Sequence, residues 1–285
     1  MSERSTSADE RGALANIGPQ QVLGAAGLVR SGRIVDLGLP IGPNTPSPAH
    51  RHGVVRFMTR DGGDYAAGAQ RPGGFQFAED TLLLPSHSGT HIDALAHAWH
   101  DDTLYGGHGQ ETIRSTTGAQ HCGADQLGPI VGRGVVLDVA GDRELAAGYA
   151  IGAEELQQVA GAAGITIEHG DVVLIRTGWL GRMGGSAETY FAGEPGIDLS
   201  AARWLADAGV AAIGADTFAV EPLPAPGETV FPVHQFLLTD RGVPLIESVV
   251  LDELASLVDG PFLFVALPLT LVGSTASPLT PVAIL

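Results

Sequence analysis

Cysteine is nearly absent from this chain: Cys122 is the only one among 285 residues. An intrachain disulfide and a cysteine-rich zinc site are therefore excluded, and the composition suits a reducing compartment. Because His121 adjoins Cys122, the sequence leaves open a nucleophilic thiol. A small loop residue between polar neighbours is the simpler interpretation of this cysteine.

Positive charge is also scarce, with 15 basic residues against 32 acidic ones and a net charge of −17. A field of that sign repels a phosphate backbone and an anionic membrane surface. Nucleic acid and membrane lipid are therefore not expected as partners. A small-molecule substrate remains the expected partner.

Long hydrophobic runs are missing as well. The run FLFVALPLTLV (262–272) is too short to span a bilayer and contains Pro268. The polar start MSERSTSADERG lacks the apolar segment of a secretion signal, so we expect a cytoplasmic protein. Hydrophobic residues make up 44% of the chain and charged residues 16%, which indicates a globular protein with a large core.

What the sequence does contain is a dense group of potential metal ligands in HSGTHIDALAH (87–97). His87, His91, Asp93 and His97 supply imidazole nitrogens and a carboxylate, which bind Zn²⁺, Mn²⁺ or Fe²⁺ at catalytic sites. Five of the ten histidines fall between positions 87 and 108. Taken singly, each histidine could be a solvated side chain and the aspartate a cap. Their density predicts a metal site.

The order of predicted elements indicates an α/β fold. From residue 134 onward, buried strand patterns alternate with helical ones, which favours some parallel pairing in the sheet. Residues 1–32 are predicted to be a weakly ordered extension. The proline-rich segment 42–52 and the irregular segment 98–130 are predicted to be loops that could line a site. The sequence has no GxGxxG, GxxxxGK[ST] or GxSxG motif, so dinucleotide, P-loop and serine-hydrolase chemistry lack support.

The motif resembles that of the cyclase superfamily, which includes bacterial kynurenine formamidase and isatin hydrolase. The pattern HxGTHxDxxxH fixes six positions in eleven residues, and RIVDLGLPIGPNTP (33–46), GDVVLIRTGW (170–179) and the closing segment 267–285 also match. The resemblance covers residues 33–285 and is to the longer members. It implies a single α/β domain with a mixed sheet, of the swivelling β/β/α type. It also implies a homo-oligomer, a dimer or tetramer.

The resemblance adds two ligands that local spacing does not reveal, His234 and Glu247. It implies one or two divalent ions, zinc or manganese, held by His87, His91, Asp93, His234 and Glu247. His97, six residues past His91, is the expected general acid or base. The implied reaction is hydrolysis of an amide-type C–N bond, in a formamide or cyclic amide of a small metabolite, with aromatic metabolites included. A metal-dependent lyase or cyclase, a lactone hydrolase and a non-catalytic metabolite binder remain alternatives.

Three further side chains are candidates for the site because of their positions in the sequence. Trp99 and Tyr105 follow the motif and offer flat apolar faces for a ring, although Trp99 could equally be a core residue. Asp216 ends a predicted strand and could orient a metal ligand or cap a turn. The opening loop lacks the tryptophan of kynurenine formamidase, so N-formylkynurenine is one candidate substrate among several.

Overall fold

A nine-stranded mixed sheet forms the framework of the computed structural model, which describes residues 9–184 and 187–285. The strands are Ile34–Asp36 (β1), Val55–Arg60 (β2), Glu79–Leu83 (β3), His91–Asp93 (β4), Ile113–Arg114 (β5), Gly118–Ala119 (β6), Ile130–Asp138 (β7), Ala150–Ile151 (β8), Val172–Arg176 (β9), Gly196–Ile197 (β10), Ala212–Ala215 (β11), Leu245–Glu247 (β12), Phe262–Ala266 (β13), Ala276–Pro278 (β14) and Val282–Ile284 (β15). The order in the large sheet is β1-β15-β13-β7-β9-β11-β12-β4-β14.

The helices are short and lie between the strands. The α-helices are Pro19–Ala26 (α1), Gly62–Ala66 (α2), Ala124–Leu127 (α3), Ala153–Ala162 (α4), Ala187–Phe191 (α5), Leu199–Asp207 (α6), Pro232–His234 (α7) and Asp252–Leu257 (α8). The 3-10 helices are Gly12–Asn16, Pro72–Gly74, Tyr105–Gly107, Gln110–Thr112 and Trp179–Gly184, and a π-helix covers Gln235–Asp240. Among the described residues, no helix has the length and apolar character needed to cross a membrane.

Parallel pairing is confined to the centre of the sheet, where β7, β9, β11 and β12 are neighbours. These strands are buried on both faces and therefore read as unbroken apolar runs such as VVLI. The other strands of the large sheet pair antiparallel, whereas β8 and β10 form a separate parallel pair. The predicted α/β fold with a mixed sheet is confirmed.

Alternate side chains of the central strands enter two separate apolar cores. Val135 and Leu137 of β7 pack on the side covered by α4 and α6, whereas Val136 packs on the other side with Phe264 of β13. The two faces of the sheet are thus buried under different elements, as the period of two along a strand requires.

The N-terminal segment helps to cover the face of the sheet on which Val136 and Phe264 form the second apolar core. Over its described part, from residue 9, it forms a 3-10 helix and α1 instead of the weakly ordered extension that we expected. Leu14 is fully buried in the second core, and the backbone N–H of Ala13 donates to the carbonyl of Gly242 at 2.7 Å. Burial of this apolar surface accounts for the order. Residues 1–8 lie outside the described residues, and the domain boundary at residue 33 stays a prediction.

The hairpin of β2 and β3 stands apart from the large sheet. The two strands pair only with each other, and none of the residues 55–83, all of which the structure describes, is buried. Large apolar side chains of this hairpin are half exposed, among them Phe57, Leu82 and Leu83. The hairpin connects the opening loop to the motif at residue 87.

Candidate metal centre

Pairing of β4 with β12 brings three of the predicted ligands together. Glu247 lies directly opposite His91 in the antiparallel register, and Leu245 lies opposite Asp93. Because side chains alternate along a strand, His91, Asp93 and Glu247 share one face of the sheet. Ile92 and Ile246, which come between them, enter the second apolar core on the opposite face.

The small residues of the motif hold the opening loop against this strand pair. The Thr90 hydroxyl donates to the carbonyl of Ser248 at 2.6 Å and accepts from the N–H of Leu39 at 2.9 Å. Gly89 has a φ of +58°, and a Cβ there would lie 3.1 Å from the side chain of Ile41. The Gly-Thr pair therefore fixes the loop, β4 and the residue after Glu247 relative to one another.

Two groups of ligand atoms share the Asp93 carboxylate. One group is His87, Asp93 and His97, and the other is His91, Asp93 and Glu247; within each group the ligand atoms lie within 4.8 Å of one another. Oδ1 of Asp93 is 2.8 Å from Nδ1 of His87, and Oε2 of Glu247 is 3.1 Å from Nε2 of His91. The sequence suggested His97 as a general acid or base and not as a metal ligand. In the structure, however, its ring lies close enough to His87 and Asp93 for all three to contact one ion.

His234 reaches the same cluster from a different element. It ends α7, immediately before the π-helix, and its Nε2 lies 3.3 Å from Oε1 of Glu247 and 3.7 Å from Oδ2 of Asp93. The structure thus brings all five predicted metal ligands and His97 into one cluster. A π-helix beside such a cluster is a frequent feature of functional sites.

Several polar atoms of this cluster are buried without a hydrogen bond. Among the described residues, these include Nδ1 of His87, Nε2 of His91 and both carboxylate oxygens of Asp93. Nδ1 of His87 is close to Asp93, but the two groups are not oriented for a hydrogen bond. Buried polar atoms without partners are costly, and a carboxylate most of all. Imidazole nitrogens and carboxylate oxygens aimed at a common space fit a divalent cation.

Charge within the cluster sets its protonation. Burial favours a raised pKa for Asp93, but the imidazoles of His97 and His87 outweigh it and lower the pKa of this carboxyl. Burial lowers the pKa of His97 to about 4, despite the opposing charge of Asp93. Burial also acts to lower the pKa of His234, but hydrogen bonds to Glu221 and Glu247 raise it to about 10. An ionised carboxylate and a neutral imidazole are the forms that bind a cation, so an ion at Nε2 of His234 would displace a proton from that ring.

Glu221 is the important residue that the sequence did not reveal. Its Oε1 accepts hydrogen bonds from the backbone N–H of His234 at 2.9 Å and from Nδ1 of His234 at 2.6 Å, and Oε2 accepts from the N–H of Val233. The carboxylate is fully buried and fixes the orientation of the His234 ring. The charged residue in the apolar stretch FAVEPLP was the available signal, since such a residue needs a partner when buried.

Asp216 does not orient a metal ligand through its carboxylate. Its oxygens accept from the backbone N–H and hydroxyl of Thr177 at 2.8 and 2.6 Å and from the N–H of Gly178 at 2.7 Å. It therefore ties the turn that follows β9 to the end of β11, the alternative role that the sequence left open. Burial raises the pKa of Asp216 to about 6, against the effect of these hydrogen bonds.

A cavity of about 330 Å³ opens on the cluster. Its lining residues are His50, Arg51, His97, Ala98, Phe218, Ala219, Phe231, His234 and Glu247. The opening loop contributes to this lining, as predicted from the sequence. A larger groove of about 810 Å³ runs along β1, β13 and β15, but the metal-ligand cluster does not line it. Because residues of the metal-ligand cluster line the smaller cavity, that cavity is the candidate substrate site.

The two aromatic residues predicted to bind substrate lie outside this cavity lining. The indole N–H of Trp99 faces Oε1 of Gln110 at 3.4 Å. Tyr105 packs partly buried against the first apolar core, next to Gly242. Phe218 and Phe231 supply the aromatic faces instead, from segments distant from the motif in sequence.

Comparison with known proteins agrees with the motif. The model of the Cyclase family, described as "Putative cyclase", matches residues 35–222. A crystal structure described as a novel cyclase has 30% sequence identity and a TM-score of 0.86, covering 98% of this chain and 97% of its own. An isatin hydrolase bound to the product analogue thioisatinate has 22% identity and a TM-score of 0.68, covering 94% of this chain and 99% of its own.

Isatin hydrolase A from Ralstonia solanacearum is also similar, with 22% identity and a TM-score of 0.67 over 94% of this chain and 97% of its own. No curated protein matches the sequence. The two isatin hydrolases show a shared fold, and the family match extends over most of the chain. The protein belongs to the cyclase family.

Proposed function

We propose that this protein is a divalent-metal-dependent hydrolase that cleaves an amide-type C–N bond of a small aromatic compound. The observation that supports it most strongly is the set of buried, unpaired ligand atoms of His87, His91 and Asp93 beside an open cavity. Membership of the cyclase family and similarity to two isatin hydrolases point in the same direction.

The ligand set suits zinc or manganese. His91, Asp93, Glu247 and His234 would hold one ion, and His87 with Asp93 would offer ligands for a second. When bound, such an ion polarises a carbonyl and lowers the pKa of water to roughly 7. The Asp93 carboxylate lies between the two positions and would contribute to both.

We assign proton transfer to His97. Its side chain is 28% exposed and lines the cavity, and its Nε2 lies 3.8 Å from Oδ2 of Asp93. Because burial lowers its pKa to about 4, the ring is neutral at pH 7 and can accept a proton. It would return that proton to the departing nitrogen, which an amide requires. General acid–base assistance of this kind contributes typically about 10²–10⁴ in rate.

The cavity favours a flat substrate. Phe218 and Phe231 supply aromatic faces, and the guanidinium of Arg51 lies 5.3 Å from the Phe218 ring centroid. Arg51 also donates to the carbonyl of His87 at 3.1 Å, which holds it at the cavity wall. An aromatic amide that acquires a carboxylate on hydrolysis would find a positive group there.

The test combines metal analysis with a substrate comparison. The purified wild type and the variants His87→Ala and Asp93→Ala are assayed for zinc and manganese by elemental analysis. Each metal-loaded form is then tested on isatin-like cyclic amides, N-formylkynurenine, aliphatic amides and lactones in ¹⁸O-labelled water. We expect loss of metal and activity in both variants. One labelled oxygen should enter the acid that hydrolysis produces, which is the ring-opened aromatic acid from a cyclic amide and formate from a formamide.

Two results would overturn the proposal. Full metal occupancy in folded His87→Ala and Asp93→Ala proteins would remove the metal assignment. Absence of labelled oxygen from the acid product would indicate elimination or cyclisation instead of hydrolysis. Turnover confined to aliphatic substrates would overturn the aromatic specificity alone.

A further inference from the structure

A second cluster of potential ligands lies outside the candidate metal centre and shares no residue with it. Glu10 comes from the N-terminal segment, and His108 and His121 come from the irregular segment 98–130. Nδ1 of His121 lies 2.7 Å from Oε1 of Glu10, and Nε2 of His108 lies 3.8 Å from the same oxygen. One ligand atom from each residue lies within 4.8 Å of the other two.

The Glu10 carboxylate is held in place as an anion. Its Oε2 accepts from the backbone N–H of Cys122 at 2.8 Å while Oε1 faces the two imidazoles. Burial alone would raise the pKa of Glu10, but the hydrogen bonds from Cys122 and His121 lower it on balance. The group therefore keeps its charge and its orientation.

The imidazole rings of His108 and His121 stack face to face. The rings of His108 and His121 are parallel to within 6°, with centroids 3.8 Å apart. Both rings therefore stand against one carboxylate, and protonation of both would place two positive charges in contact. An arrangement of two imidazoles at one anion suits a single shared cation better.

We propose that Glu10, His108 and His121 form a second divalent-cation site that binds zinc. Two imidazole nitrogens and one carboxylate oxygen are a ligand set of zinc, with water in the fourth position. Zn–N bonds of about 2.0–2.1 Å bring tetrahedral ligand atoms to roughly 3.3 Å from one another. The rings must tilt away from parallel to reach that geometry. The side chains of His108 and His121, 20% and 39% exposed, have room to do so.

This site would fasten the N-terminal segment to the loop that supports the candidate metal centre. The residue after His121, Cys122, has a φ of +58°, and its carbonyl accepts from the N–H of Ala96, next to His97. A zinc ion bound by Glu10 would thus restrain Cys122, and through its hydrogen bond also Ala96, the residue before His97. The role assigned to the ion is structural.

The experiment counts zinc ions. Metal-free protein, prepared with a chelator, is titrated with Zn²⁺, and bound zinc is measured by calorimetry and elemental analysis. The variants are His108→Ala, His121→Ala and Glu10→Gln. The matched control is His100→Ala, which removes a histidine of similar exposure that pairs with Asp240 outside both clusters.

We expect His108→Ala and His121→Ala to bind one zinc ion fewer than the wild type, and His100→Ala to bind the same number. Glu10→Gln keeps an acceptor for Cys122 and should weaken this binding step at least roughly tenfold, the lower bound for disturbing even a supporting group. In the Asp93→Ala background, where the candidate metal centre is disabled, the remaining zinc should disappear on adding His108→Ala. The count therefore does not depend on the proposed hydrolase function.

Equal zinc stoichiometry in the wild type and His108→Ala would overturn the proposal. His108→Ala decides the question even if His121→Ala misfolds, because the His108 side chain approaches Glu10 at 3.8 Å and stacks on His121 without the short contact that His121 makes to Glu10. Circular dichroism of each variant establishes that the protein titrated is folded. A merely structural Glu10–His121 pair predicts lower stability with unchanged zinc binding.

Discussion

Nδ1 of His234 donates a hydrogen bond of 2.6 Å to the buried carboxylate of Glu221. This bond leaves Nε2 of the ring facing Glu247 and Asp93, where a ligand atom is needed. Fixing the ring in this way determines which nitrogen is available to an ion and makes that nitrogen more basic. Glu221 is therefore a positioning residue for the candidate metal centre.

The variant Glu221→Gln should bind metal about 10- to 100-fold more weakly than the wild type, because the charge that orients His234 is lost. Competition with a chromophoric chelator measures this affinity. Asp216→Asn is the matched control, since Asp216 is equally buried but contacts Thr177 and Gly178. It should lose about 1–3 kcal/mol of stability with its metal affinity intact. Equal metal affinity in Glu221→Gln and the wild type would contradict the assignment.

His97→Asn separates proton transfer from metal binding. If His97 moves a proton, the variant should retain the metal content of the wild type and lose at least about 10² in kcat on an unactivated amide. Steady-state assays measure kcat, and elemental analysis of the same preparation measures the metal content. Because His97 also lies at ligand distance from Asp93, loss of an ion in the folded variant would assign it to the ligands instead. An unchanged rate would remove it from the mechanism.

The thiol of Cys122 should be inert in the native protein. Burial, with the charge of Glu10 as a smaller contribution, raises its pKa to about 12, and the residue is 1% exposed. Only about one thiol in 10⁴ would then be ionised at pH 8, too few for a nucleophile. A chromogenic disulfide reagent should label one thiol in denaturant and almost none under native conditions. Rapid labelling of the native protein would restore the nucleophile interpretation.

We propose that the β2–β3 hairpin is an interface between copies of this chain, in line with the homo-oligomer expected from the sequence. A two-stranded hairpin without further packing is marginally stable in water, and this one exposes Phe57, Leu82 and Leu83 at 51%, 51% and 56%. Light scattering of the wild type at micromolar concentration should give at least twice the 29.3 kDa mass of one chain. The double variant Phe57→Ser/Leu83→Ser should shift it towards the monomer.

The control for this shift is Leu23→Ser, on α1. Leu23 is 67% exposed but lies outside the hairpin, so its removal should leave the mass unchanged. A wild-type mass of one chain would contradict the oligomer. An oligomer that survives the hairpin variant would place the interface elsewhere.

Local spacing identified His91 and Asp93 of β4 as candidate ligands, and the order of predicted elements indicated the α/β fold. His234 and Glu247 lie far away in sequence, and only the family resemblance identified them before the fold brought them to His91 and Asp93. Glu221 was not identified from the sequence because its role depends on contact with His234, which local sequence does not reveal.

The aromatic residues that line the cavity were not identified from the sequence for a similar reason, and substrate binding by Trp99 and Tyr105 stays a prediction. Proximity to the motif suggested Trp99, yet Ala98 lines the cavity while the indole one residue later faces Gln110. The distance of a residue from the motif in the sequence does not determine the direction in which its side chain points, and the Trp99 side chain points towards Gln110. Phe218 follows β11 and Phe231 precedes α7, so only the tertiary fold could bring them to the cavity.

The unpaired atoms of His87, His91 and Asp93 also bear on how this protein reaches its folded state in a cell. An ion that binds only the folded chain favours folding by mass action, by about 2.7 kcal/mol when its free concentration is a hundredfold above its dissociation constant. Without the ion, the same carboxylate and imidazoles must be buried with no compensation. Under the proposed function, the supply of free metal would govern the abundance of folded protein as well as its turnover, and metal starvation would deplete the protein itself.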